Sequence, residues 1–373
     1  MNKFGFIVHP ISMISFRHYG IFRNVISRIL SEKFQIEAIK YLPPYKLCDI
    51  PDIRSSRGVK TCADIVLVPL LPRHIAVMQE EAVLKKIEAG ISVCKKNGAK
   101  IIGLGALTSV VGNEGEVLSK RVDIPITSGN TLTASLALDG IYKAAYTMGV
   151  SLAESVVAIV GATGDIGSVC TKILSNKVKK LNIAARNEER LNAFADSVKR
   201  SGSADVEVFK YTKDAIKGAD IILSATSAVT TIIDPAALKP GAIVCDVAIP
   251  PNIAKEVALS RRDIFVFEGG LAKLPYPDDI TGDMALEFLP KNSVYGCIAE
   301  TMTLALEGRL ESYSIGRGNI TETRLMEMKS MAARHGITVA DFCCGHRAIT
   351  ERDIENIRVN ANNKTKRIYA AQR

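Results

Sequence analysis

The chain is expected to be an α/β protein, with a Rossmann-type doubly wound parallel sheet plus an N-terminal α/β substrate domain. Three observations predict this. Apolar strand-like runs alternate with helix-length segments over most of the 373 residues. From Val156 a strand passes straight into a glycine-rich turn and then a helix. Further strand-like runs follow it, each ending in small or polar residues.

The elements follow in order. Phe4 to Val8 is an apolar run and reads as a strand, and Phe16 to Lys33 as a helix. The N-terminus, broken by His9 and Pro10, reads as strand and loop, not as a signal peptide. Asp64 to Leu70 is a second strand, followed by one long helix from about His74 to Lys96. Lys100 to Leu104 is a third strand, opening into a loop rich in small residues, Gly105 to Asn113. Thr127 to Asn130 is another small polar loop, and a helix then runs to about Met148. The second half carries strands at Val156–Val160, Leu181–Ala185, Val206–Phe209, Asp220–Leu223, Ala242–Asp246 and Ile264–Phe267. Helices are expected at Asp165–Asn176 and Glu188–Arg200, and from Asn292 to about Gly308.

The glycine turn predicts a cofactor. In Val160-Gly161-Ala-Thr-Gly164-Asp-Ile-Gly167, Gly161 allows a tight turn and Gly164 lets the backbone approach a pyrophosphate. Gly167 lets the helix pack closely, and the phosphates belong at the helix N-terminus, where free N–H groups favour an anion. Thr163, Asp165 and Ile166 complete the candidate loop. Where an NAD-specific site carries an acidic residue after the second strand, this chain has Arg186-Asn187, with Arg190 one turn on. Guanidinium groups match a 2′-phosphate, so NADPH is the expected cofactor. Ala225, Thr226, Ser227 and Gly269 follow later strands and are expected to line the same crevice.

Cys297 stands in Pro290-Lys-Asn-Ser-Val-Tyr-Gly-Cys-Ile-Ala-Glu300. With Asn292 or Ser293 as N-cap, it falls in the first turn of a helix, where the dipole favours a thiolate. Gly296 beside it leaves room for a substrate. Residues 1–150 are therefore assigned to an N-terminal α/β substrate domain and 151–290 to an NADP(H)-binding Rossmann domain. Residues 291–350 are expected to form C-terminal helices that carry the candidate nucleophile and pack on the substrate domain. Residues 351–373, polar and basic, are expected to be a loose tail.

Composition narrows the class. The eight cysteines are scattered, without a CxxC pair or a zinc-like spacing, so reduced thiols, a cytoplasmic location and no metal are expected. No apolar run approaches the roughly 20 residues of a membrane span. The net charge of +9 is spread along the chain, with few aromatics and no nucleic-acid motif. It fits either a solvated basic surface or an acidic macromolecular partner, not nucleic acid.

Several stretches carry a resemblance. Thr127-Ser-Gly-Asn-Thr131, Val160–Gly167, Ala185-Arg-Asn-Glu-Glu-Arg-Leu191 and Gly296-Cys-Ile-Ala-Glu-Thr-Met302 resemble the long-chain acyl-[acyl-carrier-protein] reductases. So do Gly105-Ala-Leu-Thr-Ser109 and the opening Phe4-Gly-Phe-Ile, in the same order, over most of Met1 to His335. The resemblance implies that Cys297 attacks a fatty acyl thioester and that NADPH delivers a hydride to release a fatty aldehyde. The resemblance implies a thioester carried by CoA or by an acidic acyl carrier protein. Ser128 and Asn130, with Thr127, become candidates for polar groups near the acyl carbon.

Two other readings stay open. One is a shikimate-dehydrogenase-like enzyme acting on a small hydroxyl or keto compound without covalent catalysis. It would want a Lys–Asp pair, and Asp139 and Lys143 lie one helical turn apart. The other is a non-enzymatic NADPH-binding regulator, to which Cys297 would be dispensable.

Overall fold

The computed structural model describes residues 1–13, 16, 31–228, 232–253, 260–276, 289–290, 292–345 and 347–371. The expected helix Phe16–Lys33 lies almost wholly outside these residues. The chain forms two compact units, each woven from separate stretches. One holds Met1–Leu132, Ala272–Asn319 and Glu327–Thr338; the other holds Thr133–Leu271, Ile320–Met326 and Val339–Arg373.

The first unit is built on five strands, β1 (Asn2–Val8), β2 (Tyr45–Arg54), β3 (Lys60–Leu67), β4 (Ile101–Leu104) and β5 (Ile126–Thr127), in the order β2-β3-β1-β4-β5. All pair in parallel except β2, which runs antiparallel along β3 with two register shifts. The sequence reading has no strand at β2. Charged residues interrupt it, and an edge strand needs no continuous apolar run. The helix Glu80–Lys96 covers one face. It buries Val83, Leu84, Ile87, Ile91 and Cys94 against Ile7, Val66, Ile102 and Leu104, the spacing of a single helical stripe.

The single helix expected from His74 to Lys96 is two helices, Pro72–Val77 and Glu80–Lys96. Met78 turns extended with ψ 155°, and Glu80 and Glu81 then begin the second helix, where carboxylates suit the N-terminus.

The second unit contains the doubly wound sheet. Its strands are β6 (Val156–Val160), β7 (Lys180–Ala184), β8 (Asp205–Phe209), β9 (Ile221–Ser224), β10 (Ile243–Asp246) and β11 (Phe265–Glu268). The order β8-β7-β6-β9-β10-β11 is the 3-2-1-4-5-6 order of a Rossmann sheet, and the observed pairings are parallel. Alternate residues bury on opposite faces. Val157, Ile159, Ile221 and Leu223 join one apolar cluster; Ala158, Val160 and Ile222 join the other. Helices on both faces explain why the inner strands β6 and β9 are almost wholly apolar, while the edge strand β8 exposes Asp205 and Glu207.

Residues 351–371, expected to be loose, form the helix Glu351–Ala371. A capping box starts it: the Thr350 hydroxyl accepts from the Asp353 N–H, and the Asp353 carboxylate accepts from the Thr350 N–H. Ile354 and Ala361 are buried and Ile357 packs beside the core of the same unit. An apolar stripe this thin is easily hidden among Asn, Lys and Arg.

Candidate active site

The glycine turn lies at the switch point between β6 and β9, where a doubly wound sheet binds its ligand. Gly161 has φ +87°, and a Cβ there would come 2.3 Å from the Ala225 carbonyl oxygen. Both facts demand glycine. A Cβ at Gly167 would come 2.2 Å from the Gly161 oxygen, so this glycine seats the helix Asp165–Leu174 on the turn. A Cβ at Gly164 would meet only ordinary contacts, 3.4 Å from the Gly161 oxygen and 3.8 Å from the Ala225 oxygen, so packing does not require glycine there. Asp165 and Gly167 face inward, while Gly161, Thr163, Gly164 and Ile166 are part-exposed.

Two exposed arginines follow β7. The Arg186 guanidinium donates to the Ser227 hydroxyl at 3.3 Å, and Arg190 donates to the Thr163 carbonyl at 2.8 Å. Asn187 caps the helix that follows, its side-chain oxygen accepting from the Arg190 N–H at 2.8 Å. Beside them, Asn252 donates to the Ser224 and Thr226 hydroxyls at 2.8 and 3.0 Å. Asp246 accepts from the N–H groups of Ala248, Asn252 and Ile253. Burial pushes its carboxyl up to about 6, against those donors. Asn252 was not singled out in the sequence; its role follows from a loop that folds back on the strand ends. Gly269 stands apart from the glycine turn. Its N–H bonds the Asp246 carbonyl, and a Cβ there would come 2.3 Å from the Cys245 sulfur. Its missing side chain thus serves sheet packing.

Cys297 belongs to the first unit. Ser293–Tyr295 is a short strand, and the helix is Gly296–Glu307 with Tyr295 at the N-cap. The expected caps, Asn292 and Ser293, are therefore too early, and Cys297 falls one residue inside the helix. The helix lies on the sheet because Gly103 of β4 has no side chain: a Cβ there would come 2.1 Å from the Thr301 hydroxyl.

The half-buried Cys297 thiol is under two opposing influences. Burial pushes it up to about 12, while the backbone N–H groups of Ile298, Ala106 and Cys297 itself favour the thiolate. The helix start was expected to lower this thiol; desolvation outweighs it, and the net shift is upward. The donors remain aimed at the sulfur.

Gly129, between the two candidates named from the sequence, presses directly on Cys297. Its φ is +77°, and a Cβ there would come 2.2 Å from the Cys297 Cα. The Ser128 hydroxyl donates to the Ser314 carbonyl at 2.5 Å, and Ser128 is 1% exposed. It therefore positions the loop and has no open face for a substrate. Asn130 is half-buried at the start of the helix Asn130–Met148.

A buried hub holds this loop. The Glu300 carboxylate, one turn beyond Cys297 and fully buried, accepts from the Thr127 hydroxyl, the Ser314 hydroxyl at 2.7 Å and the Leu132 N–H at 2.8 Å. A buried carboxylate persists only with such partners. The signal for it was available: Glu300 is the one charged residue in Gly296–Leu306. Elsewhere, Lys143 pairs with Asp341 at 3.1 Å on an exposed surface, which offers little to the non-covalent reading.

Among the described residues, no group of three His, Cys, Asp or Glu side chains could hold a metal, and no helix is long and apolar enough to cross a membrane.

Comparison with known proteins agrees with the dinucleotide site. Residues 143–268 match the shikimate / quinate 5-dehydrogenase family model. The chain is similar to a long-chain acyl-[acyl-carrier-protein] reductase from Synechococcus elongatus, 28% identical over 84% of this chain and 94% of that protein. It is 27% identical to the aminotransferase PigE of a Serratia species over 95% of this chain. It spans only 42% of PigE, so the activity in that name stays with that protein. A shikimate 5-dehydrogenase structure from Listeria monocytogenes is 12% identical over 88% of this chain and 96% of its own, with a TM-score of 0.37. The strand order, the glycine turn and the family match over residues 143–268 agree on a Rossmann-type dinucleotide-binding domain.

Proposed function

We propose that this chain reduces a fatty acyl thioester to a fatty aldehyde with NADPH, through an acyl-enzyme on Cys297. The observation that carries the reading is the Cys297 sulfur at a helix start, with N–H donors from two segments aimed at it. Donors so placed suit both a thiolate and the oxyanion that forms next to it.

In the first step the Cys297 sulfur bonds the acyl carbon and the carrier's C–S bond breaks. The thiol proton ends on the departing sulfur, so the exchange needs no net acid or base. Both sides hold one thioester and one thiol, which keeps the step nearly balanced. Ser128, Thr127 and Glu300 hold the loop against the helix, and Asn130 is the polar group assigned to the acyl carbon. NADPH, when bound, would supply a hydride to the acyl carbon; the carbon–sulfur bond to Cys297 then breaks, the aldehyde leaves, and the Cys297 thiolate takes a proton from solvent. Gly161, Gly164 and Gly167 with the helix N-terminus would hold the pyrophosphate, and Arg186 and Arg190 the 2′-phosphate.

The deciding experiment is mass spectrometry after incubation with a long-chain acyl thioester and no NADPH. An acyl mass on the peptide that holds Cys297 is expected; its absence, with turnover intact when NADPH is added, would overturn the covalent route.

Two predictions arise here. NADPH should bind more tightly than NADH, and Arg186→Asp should erode that preference at least tenfold. A hydrogen bond to a charged group is worth about 1.5–3 kcal/mol. Titration of both cofactors against both proteins reads this, and equal affinities in the parent would end the assignment. If an acidic carrier protein is the natural donor, turnover with it should weaken as salt rises, because the +9 chain attracts it through water. Turnover with acyl-CoA serves as the control, and equal salt response of the two would reduce the charge to solubility.

A further inference from the structure

One buried group near Cys297 has no part in the chemistry above. His9 follows β1 and is 6% exposed. Its Nε2 accepts the N–H of Leu107 at 3.2 Å, and its Nδ1 faces the Pro10 carbonyl at 3.1 Å. An N–H pointing at Nε2 leaves the ring proton on Nδ1, where that carbonyl accepts it. Burial acts in the same direction, pushing the imidazole down to about 4, so the ring stays neutral.

Leu107 belongs to the short turn Ala106–Ser109 that follows β4. Ala106 has φ +49°, in the left-handed region that a residue with a Cβ avoids. Such a conformation persists only when its surroundings hold it. The Thr108 and Ser109 hydroxyls close the turn on itself by donating to the Gly105 and Ala106 carbonyls, both at 2.7 Å. His9 reaches the turn from a different segment. The Ala106 N–H, one residue from the His9 contact, is among the groups aimed at the Cys297 sulfur.

We propose that His9 is a positioning residue: it pins the turn that presents the Ala106 N–H to the Cys297 sulfur. The role rests on the reading of Cys297 as the nucleophile, and it casts the imidazole as a neutral strut and not as a general base. The ring accepts from the backbone on one side and donates to it on the other, so neither nitrogen is left to take the thiol proton.

The test uses His9→Gln, His9→Asn and His9→Ala. A glutamine oxygen reaches the place of Nε2 and can accept from Leu107; asparagine falls short. Iodoacetamide labelling of Cys297, read peptide by peptide by mass spectrometry at pH 9, reports thiolate stabilisation without any thioester. The Asn and Ala proteins should label about tenfold more slowly, as expected for losing one well-aimed hydrogen bond to a charged group. Their kcat for thioester reduction should fall with KM little changed, and the Gln protein should keep both properties near the parent's. If His9→Ala does not fold, the Asn and Gln pair decides. Labelling at the parent rate in the Asn protein, or a Gln protein as slow as Asn, would overturn the assignment. Slowed labelling together with a parent protein that never forms an acyl-enzyme would support His9 and strike the covalent reading instead.

Discussion

Cys297→Ser loses aldehyde formation by at least about a thousandfold, the scale on which removal of a nucleophile acts. A serine hydroxyl with no base beside it is a poor nucleophile at neutral pH. NADPH binding stays intact, because the glycine turn and both arginines belong to the other compact unit. Cys297→Ala folds as well, since one small side chain costs little against a total stability of about 5–15 kcal/mol. The trapped acyl mass maps to Cys297 and to neither Cys170 nor Cys245, which are buried and whose thiols burial pushes up. The raised thiol adds a pH signature. With the thiol up near about 12, the thiolate fraction of the free protein grows about tenfold per pH unit. Alkylation of Cys297 between pH 7 and 9 therefore climbs without a plateau. A plateau near neutrality would mean that the thiolate already exists and the donors outweigh burial. Reduction of acyl thioesters at a normal rate by Cys297→Ala would end the covalent reading and advance the shikimate-dehydrogenase-like one.

Gly129→Ala is the other large effect. The new methyl group would fall 2.2 Å from the Cys297 Cα and 2.4 Å from its Cβ. The obstacle is the backbone of a helix start and not the flexible end of a side chain. The φ of +77° adds a left-handed penalty for any residue with a Cβ. Together these cost about 2–5 kcal/mol and lower the melting temperature by roughly 5 °C or more. Acylation falls about a hundredfold, since displacing a reacting group by about 1 Å has that effect. Thermal melting and acyl-enzyme formation are measured on the same preparation, with NADPH titration as the control. Normal acylation in a folded Gly129→Ala protein would show that the contact between Gly129 and Cys297 is not needed in solution.

Local order was largely legible. The strand, glycine turn and helix from Val156 to Leu174 follow from short-range rules, and so does the alternation that builds the six-stranded sheet. The placement of Arg186 and Arg190 just after β7 was legible because it is counted from a strand end. The break at Met78 was not, since both sides of it keep a helical pattern. The tail helix was hidden by a polar composition that only a docking surface rescues.

The sequence by itself determined most of the elements and the glycine turn of the six-stranded sheet, because strands and turns depend on residues a few positions apart. Only the tertiary structure decided the surroundings of Cys297. Gly129 and Ala106 reach it from loops distant in the chain, His9 holds the turn next to Ala106, and the helix carrying Cys297 follows a return from the other unit. The direction in which the thiol shifts depends on burial set against N–H donors from separate segments. Desolvation is a property of everything packed around an atom, and no local spacing encodes it.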